Sequence, residues 1–310
     1  MIENMNNVVV VGPAELQETV KVNSKRISVQ ENDFTFDGID TYIGGHGCNV
    51  ARVLQKLGRK VSFVSLIGQD VIGDIVFNEL IKSKISTEFI EKSLKESSHT
   101  VIAYDKGFRK FFIDLKDVQQ TDLSVNCEKI ISESDIVLAS NINYARPIVD
   151  MARKMKKTIA IDIHDQDNVE DEYNKFFMEN ADILFMSNEK IIGKEKDFLK
   201  KLINRYDAKI IVIGMGSNGA LMYDEIKEVT LHYKPQMVKE VNCVFGTGDA
   251  FFASFIHFYC KKGSSESALD LAMTYAEKKI RHKGPDTGLL TEEELVKQNN
   301  KIKREKEIIL

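Results

Sequence analysis

The chain has 310 residues, 43% of them hydrophobic, and a formal net charge of −4, which suits a substantial core in one large or two medium domains. Its lysines and arginines are scattered apart from a charged C-terminal tail, which offers nucleic acid no basic face, and no apolar run approaches the ~20 residues of a membrane span. The four cysteines, Cys48, Cys127, Cys243 and Cys260, form no C-x-x-C pair, which argues against a zinc site and fits reduced thiols in a soluble cytoplasmic protein.

Residues 7–12 read as a first strand ending in Gly-Pro, and no basic region before Val8 marks them as a signal peptide. Over residues 15–42 polar and apolar side chains alternate (Val20, Val22; Ile27, Val29; Phe34, Phe36), the period of strands that bury one face. The glycine loop 44–49 enters a helix from Val50 that closes at Gly58. Residues 60–67 form a strand and 71–83 a helix. Residues 99–115 are a second alternating patch, a hairpin turning at Lys106-Gly107. Strands over 136–139, 158–163, 183–186 and 209–213 then alternate with helices over 144–156 and 194–206, with Pro147 tolerable in a first turn. Short extended runs follow at 220–223 and 229–233, then helices at 248–261 and 265–281, and the tail 291–310 reads as a peripheral charged helix. The rhythm predicts an α/β fold in one domain over 1–310. A mostly parallel sheet is covered on both faces, and the patches 15–42 and 99–115 project from it as a small β-sheet lid.

Three glycine-rich loops fall where open α/β sheets bind ligands. Phe245-Gly246-Thr247-Gly248-Asp249 runs straight into an apolar helix. Its glycines let the backbone approach a ligand, the helix start presents free N–H groups to a phosphate, and Asp249 can act as a base on an attacking hydroxyl. The plain alternative is a capped core helix with an acid near its N-terminus. In Gly44-Gly45-His46-Gly47-Cys48-Asn49, Asn49 offers a sugar hydroxyl both donor and acceptor, although an ordinary N-cap looks the same. Gly214-Met215-Gly216-Ser217-Asn218-Gly219 matches G-x-G-x-x-G, but a short strand and turn follow it. The dinucleotide fingerprint needs a helix there, which disfavours that reading and leaves a glycine turn bordering a nucleotide pocket. The six histidines share no metal-ligand spacing; His46 lies in the first glycine loop, and His164 and Asp165 follow a strand.

The two loops together resemble the ribokinase-like (PfkB-type) carbohydrate kinases. Gly44 to Ala51, ending in Leu57-Gly58, is similar to that family's first signature, and Gly246-Thr247-Gly248-Asp249-Ala250-Phe251 to its second, about 200 residues on. Leu66 to Asp70 with Ile72-Gly73, and Ala181 to Leu184 leading into Asn188, match elements between them. The resemblance implies a three-layer α/β/α fold and an ATP-dependent kinase. Its acceptor would be a hydroxymethyl group of a small sugar, sugar derivative or nucleoside. It implies Asp249 as base, with Gly246, Thr247 and Gly248 completing an anion hole. Gln17, Gly44, Gly45 and Asn49 would hold the substrate, and Asn188, Gly214, Gly216 and Gly219 would border ATP. Mg²⁺ would be held by phosphates and water, with no protein metal ligands. A second copy could cover the lid's exposed edges, giving a homodimer. The chain departs from the family pattern at Thr247, where alanine is usual, and at three further places: Gln17 stands for an Asp, Ile191 for a Glu, and Phe245 for a hydroxyl residue. These leave a second reading, a catalytically weakened sugar- or nucleoside-binding member of the same fold. A third, a nicotinamide oxidoreductase through residues 214–219, would fall if NAD did not bind.

Overall fold

A computed structural model describes residues 6–22, 34–105, 108–238, 241 and 245–309. Its first strand, β1 (Asn7–Val11), divides the core: Val8 and Val10 are buried on one face of the sheet, Val9 and Val11 on the other. A strand covered on both faces has to be apolar throughout. In chain order there follow β2 (Glu15–Lys21), β3 (Ile39–Gly44), α1 (His46–Lys56), β4 (Lys60–Gly68), α2 (Val71–Lys82), β5 (Phe89–Leu94), β6 (His99–Asp105), β7 (Phe108–Asp114), α3 (Glu128–Glu133) and β8 (Ile136–Ser140). Then come α4 (Arg146–Lys154), β9 (Thr158–Asp165), α5 (Glu172–Asn180), β10 (Ile183–Ser187), α6 (Glu195–Arg205), β11 (Ile210–Gly214), β12 (Ala220–Asp224) and β13 (Val229–Tyr233). The chain ends with α7 (Thr247–Lys262), α8 (Ser265–Lys279), α9 (Glu292–Asn299) and β14 (Lys306–Ile308).

Among the described residues the strands form a large sheet, β14-β13-β12-β11-β10-β9-β8-β1-β4-β5, and a separate smaller one, β3-β2-β6-β7. From β11 to β5 the neighbours are parallel; β12, β13 and β14 add on antiparallel. Side chains of α1, α2, α7, α8 and α9 pack one face of the large sheet, and those of α3, α4, α5 and α6 the other. No helix among the described residues is long and apolar enough to cross a membrane.

The strand order positions the site. The chain builds β4 and β5 on one side of β1, then crosses over to β8, β9, β10 and β11 on the other. That reversal opens a crevice at the carboxyl ends of β1 and β8. Gly12 brings α1 against its floor: a Cβ there would fall 2.2 Å from Ser140 Oγ and 3.0 Å from Gly47 Cα. The smaller sheet leaves the same edge, because β2 follows β1 after Gly12-Pro13-Ala14 and pairs with β3 and β6.

Some boundaries differ from those the pattern predicts. Helix α1 starts at His46 rather than Val50, with Gly45 as N-cap at φ 90°; a glycine inside a first turn looks like loop in sequence. The tail is not one helix. After α9, Arg304 is buried against Asp270 and Glu277, and β14 then pairs with β13. An exposed edge strand of charged residues carries no apolar alternation to announce it. The predicted turn at Lys106-Gly107, the residues Ile27 and Val29, and Cys243 lie outside the described residues. Cys48, Cys127 and Cys260 are buried free thiols.

Candidate active site

Helix α1 packs on α7 so that their first turns meet. His46 and Asn49, three residues apart, share a face of α1, and both reach Asp249 in the first turn of α7. His46 Nδ1 lies 2.7 Å from Asp249 Oδ1, and Asn49 Nδ2 donates to Asp249 Oδ2 at 2.7 Å. Phe252, one turn along α7, stacks on the His46 ring at 5.8 Å. The carboxylate is thus gripped at both oxygens, yet 17% of its side chain stays exposed.

The start of α7 has no side-chain cap. Its N-cap is Gly246, at φ 70° in the left-handed region that favours glycine. The first-turn N–H groups therefore remain free for a ligand. Thr247 Oγ1 and Asn49 Oδ1 are buried without a protein partner, and a Cβ on Gly248 would meet open space. Buried polar atoms are seldom left unpaired. An uncapped helix start, the orphaned Thr247 hydroxyl and room above them together suit an anionic group, whereas Asn49 Oδ1, an acceptor, suits a hydroxyl donor.

Burial opposes charge on Asp249, but His46 and the Asn49 amide hold its carboxyl below the ordinary carboxylate range. Burial also opposes the imidazolium, yet Asp249, aided by Asp162, raises His46 above its usual value. The stability this ion pair contributes is fully present between the ordinary values of the two groups, roughly pH 3.9 and 6.5. It is lost as pH falls through the lowered Asp249 value or rises through the raised His46 value.

The opposite wall is the start of β2, where Glu15 and Gln17 share a strand face. Glu15 is buried, and its Oε1 accepts from Gln17 Nε2 at 2.9 Å and from Thr100 Oγ1 at 3.0 Å. Burial, assisted by the negative Asp249, raises its carboxyl above the usual value against those two bonds. Gln17 lies on Gly44, where a Cβ would come within 2.2 Å of its Oε1. Asn49 thus touches Asp249 directly, Gln17 lies on Gly44, and a Cβ on Gly45 would come within 3.3 Å of Glu15 Cγ. The acid among them, Glu15, is the residue sequence reasoning missed, and its i, i+2 spacing from Gln17 was the available signal.

Along the ends of β10 and β11, Asn188 N donates to Gly214 O at 3.0 Å. Asn188 Nδ2 donates to Glu195 Oε1 at 2.6 Å. Burial opposes charge on Glu195, but that bond and backbone N–H groups hold its carboxyl below the ordinary range. Ile191, where the family pattern has an acid, is 3% exposed and belongs to the core. Glu195, at the start of α6, supplies a carboxylate to Asn188 that sequence reasoning also missed. A Cβ on Gly214 would sit 3.9 Å from the Phe251 ring, and Gly216, at φ 53°, faces open space. Gly219, at φ 91°, has a packing reason for being glycine, since a Cβ would strike Tyr233 O at 1.9 Å. After the turn Gly216–Asn218, β12 runs back antiparallel to β11, so no helix opens at the third glycine.

Phe245, just before the anion-suited turn, packs with Ile102 and Tyr104 of β6 and Phe111 of β7. Where the family pattern has a hydroxyl, this chain joins the start of α7 to the smaller sheet. Arg109 of β7 also pairs with Glu189, next to Asn188. Of the remaining histidines, His257 is a core residue between Arg59 (2.9 Å) and Glu292 (3.0 Å), pushed down to about 4 by burial and by Arg59. His164 reaches the crevice, its ring 4.8 Å from that of His46.

A carboxylate held at both oxygens thus stands beside an uncapped helix start, in the crevice of a parallel sheet. The model of the pfkB family carbohydrate kinases matches residues 5–292. The chain belongs to that family, and is a phosphotransferase with an alcohol group as acceptor. Fructosamine kinase FrlD of Bacillus subtilis (strain 168) is 24% identical over 261 residues, 82% of this chain and 90% of its own. The solved structure of a microbiome-derived acarbose kinase, Mak1, matches with a TM-score of 0.83 at 23% identity, over 96% of this chain and 100% of its own. A ribokinase of Arabidopsis thaliana complexed with ribose and ATP matches with a TM-score of 0.78 at 17% identity, over 96% and 99%. These likenesses support the ribokinase-like three-layer fold.

Proposed function

We propose that the chain transfers the γ-phosphate of ATP to a hydroxymethyl group of a small sugar, sugar derivative or nucleoside. The observation that carries this reading is Asp249, an ionised carboxylate held at both oxygens in the first turn of an uncapped helix. Asp249 accepts the proton of the attacking hydroxyl as its oxygen bonds to the γ-phosphorus and ADP leaves. The N–H groups of Gly246, Thr247, Gly248 and Asp249 receive the charge growing on the transferred group. Donors of this kind are worth about 3–4 kcal/mol each in other enzymes. Gln17, Gly44, Gly45 and Asn49 hold the sugar, with Glu15 as the acid among them.

Asn188, Gly214, Gly216 and Gly219 border the nucleotide. The orphaned Thr247 hydroxyl and the Asn188–Glu195 pair fit a magnesium nucleotide; Mg²⁺ supplies charge neutralisation on the phosphates, and these three side chains would hold its water shell. The smaller sheet, joined to α7 through Phe245, acts as a lid that excludes water from the transfer. The names of a relative, a fructosamine kinase, and of a neighbour complexed with ribose and ATP support a sugar acceptor and an ATP donor. The test is ATP consumption and product mass over a panel of pentoses, hexoses, amino sugars, sugar phosphates and nucleosides. Phosphorylation of at least one member is expected. Binding without turnover across the panel would instead make the chain a weakened binder of the same fold.

A further inference from the structure

Beside the Asp249–His46 pair lie two side chains that phosphoryl transfer leaves unused. Asp162 and His164, at the end of β9, join His46 so that one ligand atom from each lies within 4.8 Å of the others. The two imidazole centroids are 4.8 Å apart and the rings stand 86° to each other. Two histidines on one zinc ion, with Zn–N of about 2.0–2.1 Å, have centroids roughly 5 Å apart. The ring centroids are therefore near the separation of two histidines on one cation, and the ligand atoms, within 4.8 Å of one another, would draw in to the roughly 3.4 Å of neighbouring tetrahedral ligands when the ion binds.

Each member is prepared for this in its own way. His46 Nδ1 is committed to Asp249, which leaves Nε2 as the ligating nitrogen, and Nε2 has no hydrogen-bond partner among the described residues. A carboxylate on the far ring nitrogen is the usual outer partner of a metal-bound histidine. His164 takes φ 59°, a left-handed conformation that is uncommon for a residue with a Cβ. Such strain persists where the surroundings impose it, often at functional positions. Its N–H donates to Asp162 Oδ1 at 2.9 Å, which steadies the turn and leaves Oδ2 to ligate.

We propose that His46 Nε2, His164 and Asp162 bind a single borderline transition-metal cation, zinc foremost, with water at the remaining position. Two imidazoles and one carboxylate suit zinc, cobalt or nickel, whereas Mg²⁺ prefers an oxygen shell and stays with the nucleotide phosphates. The site is separate from the magnesium nucleotide and does not depend on which acceptor the enzyme phosphorylates.

The test needs no substrate. Chelator-washed full-length protein is titrated with zinc chloride by calorimetry and with cobalt chloride by visible absorbance, alongside His164→Ala and Asp162→Asn. Expected are one zinc per chain, the intense visible bands of low-coordinate cobalt, and loss of affinity in each variant. That loss should be at least the ~10–100-fold that changing an outer partner alone costs. His164 is exposed, so its variant is expected to melt with the wild type; should Asp162→Asn unfold, His164→Ala decides alone. Zinc bound equally by wild type and His164→Ala, as it would be at the cysteines, overturns the proposal, as does wild-type protein that takes up no zinc.

Discussion

The two ends of the crevice are built on different plans. Around Asp249, His46 and Asn49 hold the carboxylate at 2.7 Å, and beside them Gln17 donates to Glu15 at 2.9 Å. At the ends of β10 and β11, the proposed nucleotide end, Gly214 and Gly216 offer backbone, Gly216 faces open space, and the Asn188–Glu195 bond organises the rim. The difference follows from what each end must do. A reacting group misplaced by an ångström costs about 100-fold in rate, so its position has to be fixed before the substrate arrives. A nucleotide held by shape and backbone tolerates more.

Substitutions should therefore fall in a graded series. Asp249→Asn keeps the shape and removes the proton acceptor; kcat is expected to fall by about 10²–10⁴, with ATP and sugar binding by calorimetry little changed. Unchanged turnover would erase the distinction between the two ends. Gly246→Ala comes next. Its Cβ would sit 3.1 Å from Pro285 at a residue with φ 70°, so the N–H donors tilt and kcat falls by about 10–100-fold, measured at saturating substrate. Phe245→Ala frees the smaller sheet from α7; ADP release without sugar should rise several-fold, as water enters a lid that no longer seals. The smallest effect belongs to Gly216→Ala, where nothing lies within 4 Å of the new Cβ and the backbone strain at φ 53° is the only cost. The KM for ATP is expected to rise by about two- to threefold at constant kcat.

The same contrast governs what could be read from sequence. Asp249, Asn49 and their glycines were legible because glycines beside a helix start impose local geometry whatever surrounds them. The parallel core was legible because strands covered on both faces are apolar throughout, as β1 is. Glu15 and Glu195 were not, because each meets its partner on another element: Thr100 on β6, Asn188 after β10. Ile191 read as a missing acid, while the carboxylate that reaches Asn188 comes from the start of α6. Phe245 read as a lost hydroxyl, while its ring contacts β6 and β7. Strand β14 escaped because an exposed edge strand needs no apolar face.

The assignment of Asp249 as base is tested most directly by the pH dependence of kcat/KM for the sugar at saturating ATP. Wild type is compared with His46→Gln, so that the titration of ATP itself is common to both. His46 holds the Asp249 carboxyl below the ordinary carboxylate range, so the wild-type rate should persist into acid and fall only below that range. Removing the imidazolium should raise the Asp249 value and move the acid limb to higher pH, while leaving turnover at neutral pH measurable. A wild-type acid limb at or above the ordinary histidine value of roughly 6.5, where the raised His46 would titrate, that disappears in His46→Gln would make His46 the base and contradict the assignment.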